Sequence, residues 1–413
     1  MASIRQRGNS YSVIYYSNTE DGNRKQKWET YHSEQEAVQR KMELENQVPF
    51  LDFDSQTHTL NDLLDQYINL HGLSNWSFST YTTNVGIMDN YIRPYIGDMK
   101  LYFVSRKNMS QYFSKLHTLK RTKNKYKPYE TGPISNGIKK EIKKILHAVF
   151  EQAVNWGYFE SNPVKHIKLY KPAPSPKVYL SPSQVALVIN EAFRQKDLLM
   201  ALVIQLAFVC SMRKGEIMGL QWRAIDFDRY SIYVNRELAR VHRTSLKTLN
   251  HIKVYQQFPS HKPSSTTIAI LKEPKTQSSI RTVFMPWSVI NTLNLWKLEQ
   301  KNYKKEYPED FRNYNLVVAL QNGLPLSDQY ITTRFHALLN ACGLPRVTFH
   351  SLRHSSTSYK LVLSGGNVKA VQGDNGHAQP NMVLSVYAQV CDNDREILCN
   401  KVEEDFCSRL MTI

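Results

Sequence analysis

The chain has 413 residues, 41% of them hydrophobic and 11% aromatic, which suffices for two or three domains with substantial cores. Fifty-three Lys and Arg against 36 Asp and Glu give a net charge of +17, so a polyanionic partner with salt-sensitive affinity is expected. Five scattered cysteines, the lack of an opening signal peptide and a longest apolar run of only 198–209 argue against a disulfide-stapled secreted protein and a membrane span; the expectation is a cytoplasmic chain with reduced thiols and no membrane contact.

In chain order, residues 1–48 read as a small β-rich unit with a helix. Residues 11–16 are strand-like, Asp21-Gly22-Asn23 is a hairpin turn, and 25–31 alternate as a return strand. Ser33 as N-cap with Glu36 at the third helical position starts a helix to about residue 46. This unit holds seven basic and seven acidic residues, so its charge alone does not mark a partner. Residues 48–56 read as a linker, after which Thr59 caps a helix with Leu60, Leu63, Leu64, Tyr67 and Ile68 on one face.

Helices are expected to continue to about residue 168, making 57–168 an all-helical domain whose clearest apolar stripe is Ile138, Ile142, Ile145, Leu146, Val149, Ala153 and Trp156. Within it, Lys120, Arg121, Lys123, Lys125 and Lys127 surround Tyr126; the run suits a phosphate-tracking loop and equally a solvated charged surface. Pro172, Pro174 and Pro176 make 171–176 a stiff linker.

A third domain, 177–390, opens on Ser181 as N-cap, Pro182 at the first helical position and Gln184 at the third. The apolar run 198–209 reads as a core helix leading into C-S-M-R-K-G-E-I at 210–217. Residues 232–286 are strand-rich and contain L-K-E-P-K-T-Q-S-S-I-R-T-V at 271–283. Residues 240–265 look like a basic insertion, carrying Arg240, His242, Arg243, Lys247, His251, Lys253, His261 and Lys262. A helix over 327–342 closes at Gly343. T-F-H-S-L-R-H follows at 348–354, N-G-H at 375–377 and V-Y at 386–387. A tail, 391–413, starts a helix at Asp392-Asn393-Asp394, with Ile397, Val402, Phe406 and Leu410 as its apolar positions.

The order Arg213, Lys275, His350-x-x-Arg353, His377, Tyr387 resembles the tyrosine recombinase (phage integrase) family, most like integrases of Gram-positive conjugative transposons and prophages. The chemistry fits those residue types. A phosphodiester transition state gathers charge on its non-bridging oxygens, and a guanidinium fork binds such oxygens bidentately. Arg213 and Arg353 are assigned to that clamp. His350, three residues before Arg353, would share its helical face and either donate to the phosphate or accept a proton near the nucleophile. His377 is placed to donate to a non-bridging oxygen. Tyr387 is the proposed nucleophile: ionising a phenol of pKa about 10 at pH 7 costs about 4 kcal/mol, which the surrounding positive field offsets.

The resemblance implies a 3′-phosphotyrosyl intermediate, strand exchange through a Holliday junction, and no cofactor or metal. It also implies that Lys275 is carried on a β-hairpin as general acid, with Lys272 as the competitor. Glu216 would orient the cations. Cys210-Ser211 depart from the Thr-Gly that the family carries before its first arginine. His350 and His354 have zinc-ligand spacing, but Ser351 stands where a metalloprotease has Glu, and His354 is expected as a buried structural residue.

By the same resemblance, 1–48 is an arm-type DNA-binding domain with Arg5, Arg7, Tyr15, Arg24, Lys25, Lys27 and Trp28 as contacts; 57–168 is a SAM-like core-binding domain; 177–390 is an α+β, mainly helical catalytic domain; and 391–413 docks on a neighbouring subunit or on its own domain. Arg240 and Arg243 are further candidate DNA contacts. The implied partners are double-stranded DNA at core and arm sites, a homo-tetramer on DNA from a free monomer, and accessory excision or host DNA-bending factors. A type IB topoisomerase-like enzyme and a catalytically silent DNA-binding regulator are the alternatives.

Overall fold

The computed structural model describes residues 3–7, 10–18, 24–33, 36–37, 58–116, 118, 134–169, 178–260, 264–376 and 399–400. They fall into two compact units, Met1–Gly72 with Thr83–Lys171 and Leu73–Thr82 with Pro172–Ile413.

In the first unit, β1 (Ser3–Arg7), β2 (Ser10–Asn18) and β3 (Arg24–Tyr31) form an antiparallel sheet in the order β1-β2-β3. Val13 and Ala37 are fully buried against one another, with Tyr11 and Tyr31 beside them. Arg5 pairs with Ser12 and Trp28 with Ile14, so Arg5 and Trp28 stand on the face opposite Val13, and both are exposed. Lys27 is exposed at a position of the Val13 face. Of the helix expected from Ser33, only Glu36 and Ala37 are described.

The helical part of this unit starts with α1 (Leu60–Tyr67), capped as its sequence predicts: Asp62 N–H donates to the Thr59 hydroxyl at 3.4 Å, and Thr59 N–H donates to the Asp62 carboxylate at 2.7 Å. The stripe on α2 (Asn136–Asn155) buries Ile142, Ile145, Leu146, Val149, Phe150 and Ala153. The basic run at 120–127, with Lys120, Arg121, Lys123, Lys125 and Lys127, lies outside the described residues.

The second unit is built round α4 (Leu198–Phe208), every one of whose residues after the first is buried. That explains its lack of a polar face: α3 (Pro182–Arg194), α9 (Trp287–Glu306) and α11 (Ser351–Leu363) pack around it. After α4 come α5 (Lys214–Met218), two three-stranded sheets interspersed with the short helices α6 (Trp222–Ala224), α7 (Arg243–Thr248) and α8 (Gln277–Ser279), and α10 (Asp328–Ala341), which ends at Gly343 with φ of +65°.

The sheets correct one expectation. β8 (Thr267–Lys272) pairs with β6 (Glu237–His242) and β7 (Val254–Gln257), whereas β9 (Arg281–Phe284) pairs with β5 (Ser231–Val234), itself paired with β4 (Ile225–Asp226). Lys275 therefore lies on a loop crossing from one sheet to the other, not on a hairpin between paired strands. The cause is the 240–265 segment, which supplies β7 and captures β8. Its Val241 and Leu249, together with Ile268 and Ile270 of β8, pack around the buried Phe78. Arg240 and Arg243 are exposed; Arg243 also donates to the Ser265 carbonyl at 3.0 Å.

α5 lies against the start of β6 so closely that a methyl group on Gly219 would meet the Leu238 nitrogen at 2.6 Å and the Glu237 carbonyl carbon at 2.9 Å. Gly219→Ala should therefore destabilise this unit by about 1–3 kcal/mol through overpacking. Urea unfolding checks this, and an unchanged midpoint would show that α5 shifts freely.

Candidate active site

Arg213 is the N-cap of α5, in extended conformation, directly after the buried turn that ends α4. Its guanidinium donates to Glu216 at 2.7 Å, to the Ser279 hydroxyl at 3.1 Å and to the Gly376 carbonyl at 2.9 Å. Its backbone N–H also donates to Glu216, at 2.9 Å. The side chain keeps 29% exposure, so one edge of the fork faces outward from a fixed seat.

Glu216 is 1% exposed and also receives both guanidinium nitrogens of Arg281, at 3.2 and 3.1 Å. Burial alone would raise its carboxyl, but Arg281 and then Arg213 outweigh that and hold it below the usual carboxylate value. Arg281 is the residue that sequence reasoning missed. It is 8% exposed and further donates to the carbonyls of Asp374, at 2.8 Å, and Ser279, at 3.0 Å. Its signal was present in S-S-I-R-T-V: a cation in a strand position whose neighbours alternate outward.

Arg353 lies on α11 and is 3% exposed, donating to the carbonyls of Ser211 and Asn375. Burial first, then the Arg213 charge, lowers it to about 9, which leaves it protonated at neutral pH. Ser211 adopts φ of +50°, a left-handed conformation that costs a non-glycine residue about 1–2 kcal/mol. Its hydroxyl shares a 2.6 Å buried hydrogen bond with Ser356 of α11, which helps hold the carbonyl toward Arg353. Ser therefore does here what a glycine does more cheaply.

His350 does not share the buried position of Arg353. It is the N-cap of α11, exposed at the rim, with its ring edge-on to His354 at 4.8 Å between centroids. Close packing of the ring, then the charges of His354, Arg353, Arg213 and Lys214, lowers it to about 4, so it is neutral at pH 7. His354 is half-buried rather than buried, against Tyr179 at 5.9 Å.

Lys275 is exposed on the crossing loop. Lys272 is nine-tenths buried and ion-paired to Glu237, so Lys275 is the lysine available to a ligand. His377 and Tyr387 lie outside the described residues, but Gly376 is held in place. It has φ of +60°, and a Cβ there would meet the Ser278 carbonyl at 2.8 Å and Arg281 at 2.9 Å. Among the described residues no cluster of His, Cys, Asp and Glu has the makings of a metal site, and no helix is long and apolar enough to cross a membrane.

The Phage integrase family matches residues 179–394, and its N-terminal SAM-like domain matches 59–117. A tyrosine recombinase XerC-like protein of Caldanaerobacter subterraneus is 26% identical over 350 residues, covering 82% of this chain and 81% of that protein. The ICEBs1 integrase of Bacillus subtilis is 21% identical, covering 73% and 76%. Among solved structures, the Tn1549 transposon integrase in complex with a circular intermediate DNA superposes with a TM-score of 0.60 at 21% identity, covering 83% of this chain and 99% of that one. A lambda integrase tetramer bound to a Holliday junction gives a TM-score of 0.50 at 17% identity over 92% and 96%. The fold class is thus that of the tyrosine recombinases: a β-rich N-terminal part, a SAM-like helical domain and a mainly helical α+β domain.

Glu216 with a lowered folded pKa contributes stability above the ordinary glutamate value, about 4.3, and loses it as pH falls through the folded one. Glu216→Gln leaves two buried guanidinium groups short of their counter-charge and should cost about 3–5 kcal/mol at pH 7. The gap from the parent should narrow as pH drops below about 4.3. Urea midpoints across pH 3–7 measure it, and a gap constant with pH would contradict the charge reading.

Proposed function

The chain belongs to the phage integrase family, and from that membership we propose a site-specific DNA recombinase that integrates and excises a mobile element or prophage. Tyr387 attacks a DNA phosphodiester, forming a 3′-phosphotyrosyl bond and releasing a 5′-hydroxyl. The released hydroxyl of the partner strand then attacks that bond, so strands exchange through a Holliday junction and the bond energy is conserved without a cofactor.

The observation that carries this reading is the pairing of Arg213 and Arg353 in one core. Both are seated on backbone carbonyls, and both reach the 375–376 turn that immediately precedes His377. Two preoriented forks stabilise the phosphorane charge, and each such donor is worth roughly 3 kcal/mol of barrier. His350, neutral before DNA binds, is able to donate one hydrogen bond or accept one proton; a bound phosphate favours its protonated form. Lys275 protonates the leaving 5′-oxygen, and its place on a loop between sheets lets it approach once DNA is seated.

The proposed partners are double-stranded DNA and three further copies of the chain on that DNA. Residues 57–168 and 177–390 hold the core site, Arg5 and Trp28 are among the residues of 1–48 for an arm site, and the tail 391–413 docks between subunits. The working place is the bacterial cytoplasm. Excision and DNA-bending factors act with it there.

A nicked suicide duplex from DNA flanking the gene tests the chemistry. In EDTA, the parent protein should form an SDS-resistant adduct and Tyr387→Phe none. Arg213→Lys should bind the duplex nearly as well but cleave about 10²–10³-fold more slowly. An adduct formed equally by Tyr387→Phe would assign the nucleophile elsewhere.

A further inference from the structure

Behind α5, the second unit holds a cavity of about 280 Å³ whose lining includes Gln221, Arg223, Tyr233, Asn235 and Arg236. Gln221 is 8% exposed, and its amide nitrogen donates to the Tyr314 carbonyl at 3.1 Å, which orients its oxygen into this space. Two guanidinium groups converge on that single oxygen. Arg223 donates through Nε at 3.2 Å and Nη2 at 2.9 Å, and Arg236 through Nη1 at 2.9 Å. The Arg236 guanidinium also lies over the Tyr255 ring, 4.1 Å from its centroid.

Among the described residues neither arginine has an acid partner. Two carboxylates belong to the cavity wall, and both are committed: Glu216 to Arg213 and Arg281, and Asp226 to the backbone N–H groups of Asp228 and Arg229. Glu273, the acid beside Tyr255, accepts from the Tyr255 hydroxyl at 2.7 Å and faces Lys253 at 3.9 Å. Among the described residues no carboxylate ion-pairs with Arg223 or Arg236. Each guanidinium carries five N–H donors, and a neutral amide oxygen is a poor sole acceptor for two of them. Burial and the facing Arg223 charge accordingly lower Arg236 below the ordinary arginine value. Like charges held this close, with donors to spare and space beside them, are arranged for an anion.

We propose that Arg223, Arg236 and Gln221 form a phosphate-binding site distinct from the Arg213–Arg353 clamp. The group bound is a phosphate with two or more free oxygens on the accessible side, supplied by the DNA backbone or by a free phosphate ion. The Arg fork sets its plane, and the Gln221 oxygen gathers the two arginines when the site is empty. The free-phosphate form of the proposal is independent of the recombinase reading.

The test uses the full chain. Inorganic phosphate, added against sodium chloride at equal ionic strength, should raise the Tm of the parent and of Arg213→Gln. The rise should be lost in Arg223→Gln and reduced in Arg236→Lys, which keeps the charge but not the fork. Each variant's Tm in chloride reports whether it folds. In parallel, log Kd for duplex DNA is followed against log salt. If the phosphate is the DNA backbone's, Arg223→Gln lowers the slope by about 0.9 and weakens binding of all duplexes alike. If it is free phosphate, the Tm effect is lost but the slope stays. Parent-like Tm shifts and slopes in both Arg223→Gln and Arg236→Lys would overturn the proposal, and a Tm rise lost only in Arg213→Gln would assign the effect to the other clamp.

Discussion

The carboxylate of Glu216 is the interaction on which the site depends. An acid with 1% exposure is tolerable only if fully paired, and here it accepts from two arginines and one backbone N–H. Each partner belongs to a different part of the chain. Arg213 begins α5, Arg281 begins β9, and Arg281 in turn donates to Asp374 at the end of the helix before Gly376. One buried negative charge thus joins the first arginine of the clamp, the loop carrying Lys275 and the turn leading to His377. A cationic site built for a polyanion repels itself when empty, and Glu216 is what makes that site affordable in a folded protein.

That arrangement divides the labour between the two arginines. Arg353 is buried and donates to the carbonyls of Ser211 and Asn375, so its guanidinium is held in place and its charge acts through a low-dielectric surround. Arg213 retains an exposed edge. The two differ in freedom although chemically identical: burial, not residue type, sets how open each guanidinium is to a ligand. His350 follows the same logic in reverse. Close packing of the ring first, and then the positive surround that suits a phosphate, keep the imidazole neutral while the site is empty.

Much of this was legible in the sequence because the signals are local. Thr59 caps α1, and Ser181 with Pro182 and Gln184 opens α3, where their residue types announce it. The apolar run of α4, broken only by Gln205, reads as a core helix. The pairing of Arg213 with Glu216, three residues apart, is likewise local. What was not legible is non-local. Arg281 meets Glu216 across 65 residues, and no periodicity marks that contact. The division of the strands between two sheets was hidden for the same reason: β8 and β9 are neighbours in sequence, but the insertion that precedes β8 gives it other partners.

The insertion has a mechanical consequence. Were β8 and β9 a hairpin, the Lys275 loop would be tied at both ends to one ladder of hydrogen bonds and would move only with it. Anchored in separate sheets, its ends are held by different frameworks: Lys272 by Glu237 at the end of β8, and Arg281 by Glu216 at the start of β9. Both anchors are ion pairs with a buried cation, so the ends of the loop are fixed while Lys275 between them stays exposed. A short tether with fixed ends restricts the search of its middle residue to a small volume at low entropic cost. The general-acid role proposed for Lys275, which must reach a leaving oxygen yet not block the approach of a rigid duplex, calls for that combination of fixed ends and an exposed centre.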